Sequence, residues 1–239
     1  MNDARREELS AGLAATEARI RDACRAAGRD PSEITLIAVT KTYPASDVRL
    51  LAGLGVQDVG ENRDQEAAPK ASECADLGLT WHFIGQLQTN KVRSVVAYAD
   101  LVHSVDRVRL VDALSREAVR ADREIGCLIQ VSLDPAAPIS GVAERGGVAP
   151  TAVPELAEAV ARAENLRLRG VMAVAPLGQD PGPAFARLAE FARVLRNDHP
   201  GADVVSAGMS GDLDEAIANG ATHVRVGTAL LGRRKPFVR

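Results

Sequence analysis

Aromatic residues are scarce in this chain. Trp, Tyr and Phe together make up 3% of it. The core must therefore rest on Leu, Val, Ile and Ala, which is compatible with an overall hydrophobic share of 46%. Cysteine is scarce too. Cys24, Cys74 and Cys127 stand far apart, and fit neither a disulfide framework nor a metal knuckle. They read as reduced thiols. Positive charge is not in excess, since 29 basic residues face 32 acidic ones. A nucleic-acid binder needs a basic footprint, so that class is set aside. No apolar run reaches the roughly 18 residues of a membrane span. The opening MNDARREELS has no apolar core, which predicts no signal peptide. The expectation is a cytoplasmic protein without a membrane or nucleic-acid partner.

Short apolar runs alternate with longer helical patterns. The runs predict strands over 34–40, 56–59, 81–84, 101–103, 127–132, 168–173, 203–206 and 223–226. Most are continuous rather than alternating, as in parallel strands buried on both faces. Helices are predicted over 45–54, 65–77, 87–98, 107–123, 153–163, 183–196 and 213–219, with an amphipathic helix over 4–27 before the first strand. Gly55 and Gly220 fall where helix C-caps belong. The pattern predicts a single domain over 1–239, a (β/α)8 TIM barrel with an extra N-terminal helix. An open doubly wound sheet is the alternative. The Gly/Pro-rich stretch 134–150 is the one long loop.

The strand ends carry the chemistry. The segment LIAVTKTYP (36–44) delivers Lys41 at the tip of an apolar run. GEN (60–62), GQLQTNK (85–91), MAVAP (172–176), SAGMSGD (206–212) and RVGTALLG (225–232) follow later strands. That is the face where barrel enzymes build their sites. The last two loops match a common phosphate site after strands seven and eight. Ser206, Gly208, Ser210, Gly227 and Thr228 supply hydroxyls and close backbone approach. Ordinary tight turns and N-caps would read the same way. A free lysine has a pKa of about 10.4. At a barrel mouth, desolvation and neighbouring cations can favour its neutral form and Schiff-base chemistry. A surface lysine in a loop remains open. A phosphate-bearing aldehyde satisfies both features, and pyridoxal 5′-phosphate is one. His82 and His103 end neighbouring strands, but no third ligand has convincing spacing. They read as hydrogen-bonded inner residues, with no metal site. Glu61 and Asn62 either orient a ligand or cap the next helix. Lys91 is an anion contact or a helix-start charge.

LIAVTKTYP, GENRDQE, WHFIGQLQTNK, HSVD, RLRGVMAVAP, SAGMSGDLDEAI and RVGTALLG run in this order from 36 to 232. The ordered set resembles the pyridoxal phosphate homeostasis protein family, the proline-synthetase-co-transcribed type. The resemblance implies a barrel like the N-terminal domain of bacterial alanine racemase. It implies pyridoxal 5′-phosphate held as an internal aldimine on Lys41. The phosphate is expected against Ser206, Gly208, Ser210, Gly227 and Thr228. Arg225 is expected at the pyridine nitrogen, with Asn62 and Met172 flanking the ring. Many relatives carry a lysine before the glycine of the loop after strand five. Here Ile139 and Ser140 stand there, so no role of that lysine transfers.

The resemblance implies a cofactor-binding protein of vitamin B6 homeostasis, without robust catalysis of its own. Apoenzymes that use the cofactor are its possible recipients, and a monomer is expected. The alternatives are a racemase-type enzyme and, further off, a Schiff-base aldolase of class I. A two-base racemase needs acid–base groups on both faces of the ring. Alanine racemases take a tyrosine from an added C-terminal domain, and the expectation here, with seven residues after Gly232, is that no such domain follows. Tyr43 and Tyr98 are its only tyrosines, and Tyr43 lies too close to Lys41 to reach the opposite face.

Overall fold

The computed structural model describes residues 2–134 and 146–232. Ile139 and Ser140, and most of the long loop predicted over 134–150, lie outside the described residues. Among those described, eight parallel strands close into a barrel in sequence order: β1 Thr35–Val39, β2 Asp58–Glu61, β3 Thr80–Phe83, β4 Leu101–Val105, β5 Ile125–Gln130, β6 Leu166–Met172, β7 Val204–Ser206 and β8 His223–Val226. Closure comes from β8 pairing with β1, with Ile37 beside Arg225 and Ala38 beside Val226. The open sheet is thereby set aside.

The helices are α1 Asn2–Ala27, α2 Ala45–Gly53, α3 Asp64–Glu73, α4 Val92–Val96, α5 Val108–Ala121, α6 Val153–Arg162, α7 Pro181–Asp198, α8 Leu213–Ala218 and α9 Thr228–Leu231. Two differ from expectation. The helix predicted over 87–98 is a 3-10 turn, Thr89–Lys91, followed by the short α4. Its run of Val92, Val95 and Val96 is β-branched and stiff, which weakens helix propagation. The helix predicted over 65–77 stops at Glu73, and a 3-10 turn Ala75–Leu77 ends on Gly78 at φ 61°. The Gly55 and Gly220 expectations hold, with φ of 98° and 87°.

Strand alternation sorts the core. Val59, Trp81, Val102, Cys127, Ile129, Val171, Val205, Val224 and Val226 pack outward against the helices. Leu128, Met172 and Val204 form a separate buried cluster, which places them inside the barrel. By the same alternation Asp58, His82, His103, Ser206 and Arg225 face inward. Five of these eight inward residues are polar, where branched aliphatics usually dominate.

Helix α1 buries Leu9, Leu13, Ile20 and Cys24 along one stripe against Leu213, Ile217, Leu230 and Leu231. Gly12 lets it lie directly on α9, since a Cβ there would sit 2.1 Å from the Leu230 oxygen. In β6, Gly170 has φ 142°, and a Cβ would sit 1.9 Å from the Val204 oxygen. Gly170→Ala is expected to cost about 2–3 kcal/mol through overpacking and backbone strain. Urea unfolding of the variant measures it, and an unchanged midpoint would contradict the close approach.

Candidate functional site

The expected site residues lie on five consecutive strand ends. Met172 ends β6, Ser206 ends β7, Arg225 is in β8, Lys41 follows β1 and Asn62 follows β2. Met172 pairs in register with Ser206. Gly227 lies against β1, where an added Cβ would be 3.4 Å from the Val39 oxygen.

Lys41 is exposed, and among the described residues no hydrogen bond or ion pair engages its amine. The two residues after it are both held. The Thr42 N–H donates to Glu66 Oε2 at 3.0 Å, and the Tyr43 hydroxyl donates to the Gly232 carbonyl at 2.6 Å. Thr42 takes φ 69°, a costly conformation for a β-branched residue. The loop is thus tied down next to an amine that stays free.

The buried amine at this end is Lys70 of α3. Its Nζ donates to the Thr40 carbonyl at 2.8 Å and sits 2.5 Å from Glu61 Oε1. Thr40 Oγ1 donates to the same carboxylate oxygen at 2.6 Å. Burial raises the Glu61 pKa, with Lys70 and Thr40 opposing the rise. Glu61 Oε2 is buried without a partner. Glu61 caps no helix; it anchors the residue before Lys41.

Arg225 is buried inside the barrel. Its Nη1 donates to Ser206 Oγ at 2.7 Å, and its Nη2 donates to the Ala173 carbonyl at 2.9 Å. Among the described residues no carboxylate pairs with it. Burial brings its pKa down to about 10. Ser206 is fully buried, and its hydroxyl is engaged by Arg225 and by His103 Nδ1 at 3.1 Å. Ser210 is half-buried and Thr228 is exposed. Gly208 sits at φ 88°, where a Cβ would meet the Ala216 Cβ at 2.7 Å. Its carbonyl accepts from the Arg225 N–H at 2.9 Å, which ties the loop after β7 to β8. Lys91 lies 3.9 Å from Asp64.

His82 and His103 are bonded to each other, Nδ1 to Nε2 at 2.9 Å. No group of three His, Cys, Asp or Glu among the described residues could hold a metal ion. Burial pulls the His223 pKa down to about 4. A lowered histidine pKa leaves stability intact above about 6.5 and removes it as pH falls. The unfolded chain then takes a proton that the folded chain refuses. His223→Gln is therefore expected to gain on the wild type by about 3 kcal/mol between pH 6.5 and pH 4, at about 1.4 kcal/mol per pH unit. Parallel denaturation curves at stepped pH would show it; a constant gap between the two proteins would refute it.

Comparison with known proteins adds to this geometry. The family model described as alanine racemase, N-terminal domain, matches residues 12–235. A Pseudomonas aeruginosa protein named pyridoxal phosphate homeostasis protein is 43% identical over 226 residues, covering 95% of this chain and 96% of that one. The chain belongs to the pyridoxal phosphate homeostasis protein family. Among solved structures, PipY of Synechococcus elongatus PCC7942, with PLP bound, is 35% identical with a TM-score of 0.78, covering 94% of this chain and 100% of that one. A structure described as an unknown protein from Bifidobacterium adolescentis is 30% identical with a TM-score of 0.87, covering 96% of this chain and 97% of that one.

Within this family member, several supporting residues escape a reading of the sequence. Lys70 had a signal: Asp64, Ala67, Lys70 and Ala71 form the buried face of α3, so the helical period alone turns Lys70 inward. Arg19 of α1 had none. Its Nη1 donates to the Ser210 carbonyl at 2.5 Å, and it pairs with Asp214 at 2.6 Å. Arg5 donates to the Leu231 carbonyl at 3.0 Å. The added helix thus braces both loops expected to hold phosphate.

Proposed function

We propose that this protein binds pyridoxal 5′-phosphate at the C-terminal face of the barrel and serves cofactor homeostasis. The observation that carries the reading is Arg225, a buried cation that no carboxylate pairs with among the described residues, on the same arc of strand ends as the Lys41 amine, which none of them engages. The residues present fit the group. Lys41 is an accessible primary amine on a fixed loop. Gly208 and Gly227 allow close backbone approach, and Ser210 and Thr228 offer hydroxyls. The family's name and PipY's bound PLP support the same cofactor.

When bound, the group supplies an aldehyde carbon that condenses with primary amines. Lys41 is the amine assigned to hold it. Ser210, Thr228 and the glycine backbones take the phosphate. Ser206 acts one step back, by orienting Arg225. Asn62 and Met172 would border the ring. Arg225 would serve the ring nitrogen, where a fixed cation disfavours protonation. A ring kept unprotonated is a weaker electron sink, which suits a carrier better than a catalyst.

The tyrosines support the same conclusion. Tyr43 gives its hydroxyl to Gly232. Tyr98 packs edge-on to Trp81 outside the barrel, 6.3 Å between centroids. Neither is available as a second acid–base group. We read the protein as a non-catalytic, cytoplasmic monomer of one domain over 1–239, whose recipients are apoenzymes that use the cofactor. Among the described residues no helix is long and apolar enough to cross a membrane.

Titrating the apoprotein with pyridoxal 5′-phosphate tests the site. Ser210→Ala and Thr228→Ala are each expected to weaken binding about tenfold, the effect of one hydrogen bond to a charged group. Covalent attachment remains possible in both. Unchanged affinity in both variants would undo the phosphate placement.

A further inference from the structure

One unbroken line of polar side chains crosses the barrel interior. It starts at the N-terminal rim with Asp58, the first residue of β2, whose side chain is 23% exposed. Asp58 Oδ1 is 2.8 Å from His82 Nε2. His82 Nδ1 is 2.9 Å from His103 Nε2, and His103 Nδ1 is 3.1 Å from Ser206 Oγ. Ser206 Oγ accepts from Arg225 Nη1 at 2.7 Å. β4 and β7 are not neighbours, so the His103–Ser206 link spans the interior. His82, His103, Ser206 and Arg225 are all buried.

Such a line is tolerable only if its donors and acceptors match, and the match has a direction. The Asp58 carboxylate only accepts, so His82 Nε2 carries a proton. With His82 neutral, its Nδ1 accepts from His103 Nε2–H. Neutral His103 then accepts at Nδ1 from the Ser206 hydroxyl, whose oxygen accepts from Arg225. Every bond donates toward Asp58. Adding one proton reverses the middle of the line. The His103 Nε2 proton passes to His82 Nδ1, and the Ser206 proton passes to His103 Nδ1. Ser206 then takes one proton from solvent water at the C-terminal face, and its new hydroxyl donates back to that water. His82 is left as an imidazolium against Asp58, and His103 and Ser206 stay neutral. Ser206 has changed from a donor to His103 into an acceptor from both neighbours.

We propose that this line is a proton relay through the barrel, coupling the Asp58–His82 pair at one rim to Arg225 at the other, with His103 and Ser206 as positioning residues. Its link to the cofactor rests on the reading proposed above. The charges around it are compatible. His82 faces Asp58 on β2, His103 on β4 and His223 on β8, with ring centroids 5.1 Å and 6.3 Å away for the two histidines. His103 faces His82, His223 and Arg225. Burial and these three groups hold its pKa well below the usual range, so it passes protons without storing one. His223 faces His82, Asp58, Arg169 and Asp203.

Nitrogen-15 NMR of the histidine side chains, on wild type and Asp58→Asn, tests the relay with or without pyridoxal 5′-phosphate. His103 Nδ1 is expected to change from unprotonated to protonated as the pH is lowered. Asp58→Asn removes the carboxylate that the added proton faces at the end of the line, and should move the midpoint of that change to lower pH. In loaded protein, a component of the visible band should share the midpoint and move with it. A His103 tautomer that stays fixed over the pH range in which the protein is folded overturns the relay. So does a band component that ignores Asp58→Asn. A wild-type protein that develops no band sinks the cofactor reading instead, and the NMR result alone then decides the relay.

Discussion

Lys41→Ala is expected to fold like the wild type and to hold no cofactor covalently. Lys41 is exposed and engages no described partner, so its side chain contributes nothing to the core. The loop around it is held by Thr42, Tyr43 and the Thr40 carbonyl, none of which uses the Lys41 amine. Far-ultraviolet circular dichroism and the thermal midpoint should therefore match the wild type within the small range of surface substitutions. Reduction with borohydride in the presence of pyridoxal 5′-phosphate should leave the variant unlabelled, against full labelling of the wild type. Labelling at wild-type level would remove Lys41 from the site. Loss of the fold would show that the lysine belongs to the structure after all.

Lys70→Met is expected to have the largest effect on stability. Lys70 and Glu61 are buried, with side chains 7% and 1% exposed. Removing the cation leaves a buried carboxylate with only Thr40 as partner. Breaking a buried pair in this way costs about 3–5 kcal/mol. Glu61→Gln in the same chain should restore most of that loss, because the orphaned charge is gone. The deficit of Lys70→Met should also shrink in acid. A carboxyl group whose folded pKa is raised gives its stability at low pH and loses it as pH rises through the folded value, and burial raises Glu61. Chemical denaturation at neutral and acidic pH measures both. A deficit that is equal at both pH values, or unrelieved by Glu61→Gln, would contradict the pairing. Binding should suffer too, since Lys70 fixes the carbonyl next to Lys41.

The barrel was legible because parallel strands buried on both faces leave continuous apolar runs, such as 36–39 and 127–129. β8 was placed over its observed span, while β5 and β6 begin two residues earlier than expected. Their first residues, Ile125 and Leu166, are separated from the run by Gly126 and Arg167, which interrupt the pattern. The helix over 87–98 was misjudged because its apolar spacing is helical while its valines resist a long helix. The face carrying Lys41, Arg225 and the glycine loops was legible from position alone, as those residues end strands. What lay beyond reach was the pairing across the barrel. Nothing in the spacing of Asp58, His82, His103 and Ser206 says that they meet, because closure brings β4 opposite β7. Ser206 shows the consequence. Its motif placed it with the phosphate loop, yet its hydroxyl is bonded to Arg225 and His103, and the proposed role follows that geometry.

The most direct measurement is the mass map of the protein after incubation with pyridoxal 5′-phosphate and reduction with borohydride. The chain has four lysines: Lys41, Lys70, Lys91 and Lys235. The account predicts a yellow protein before reduction and one pyridoxyl group afterwards, fixed on Lys41. A colourless protein with no modified peptide, or a label spread over the other lysines and absent from Lys41, would contradict it.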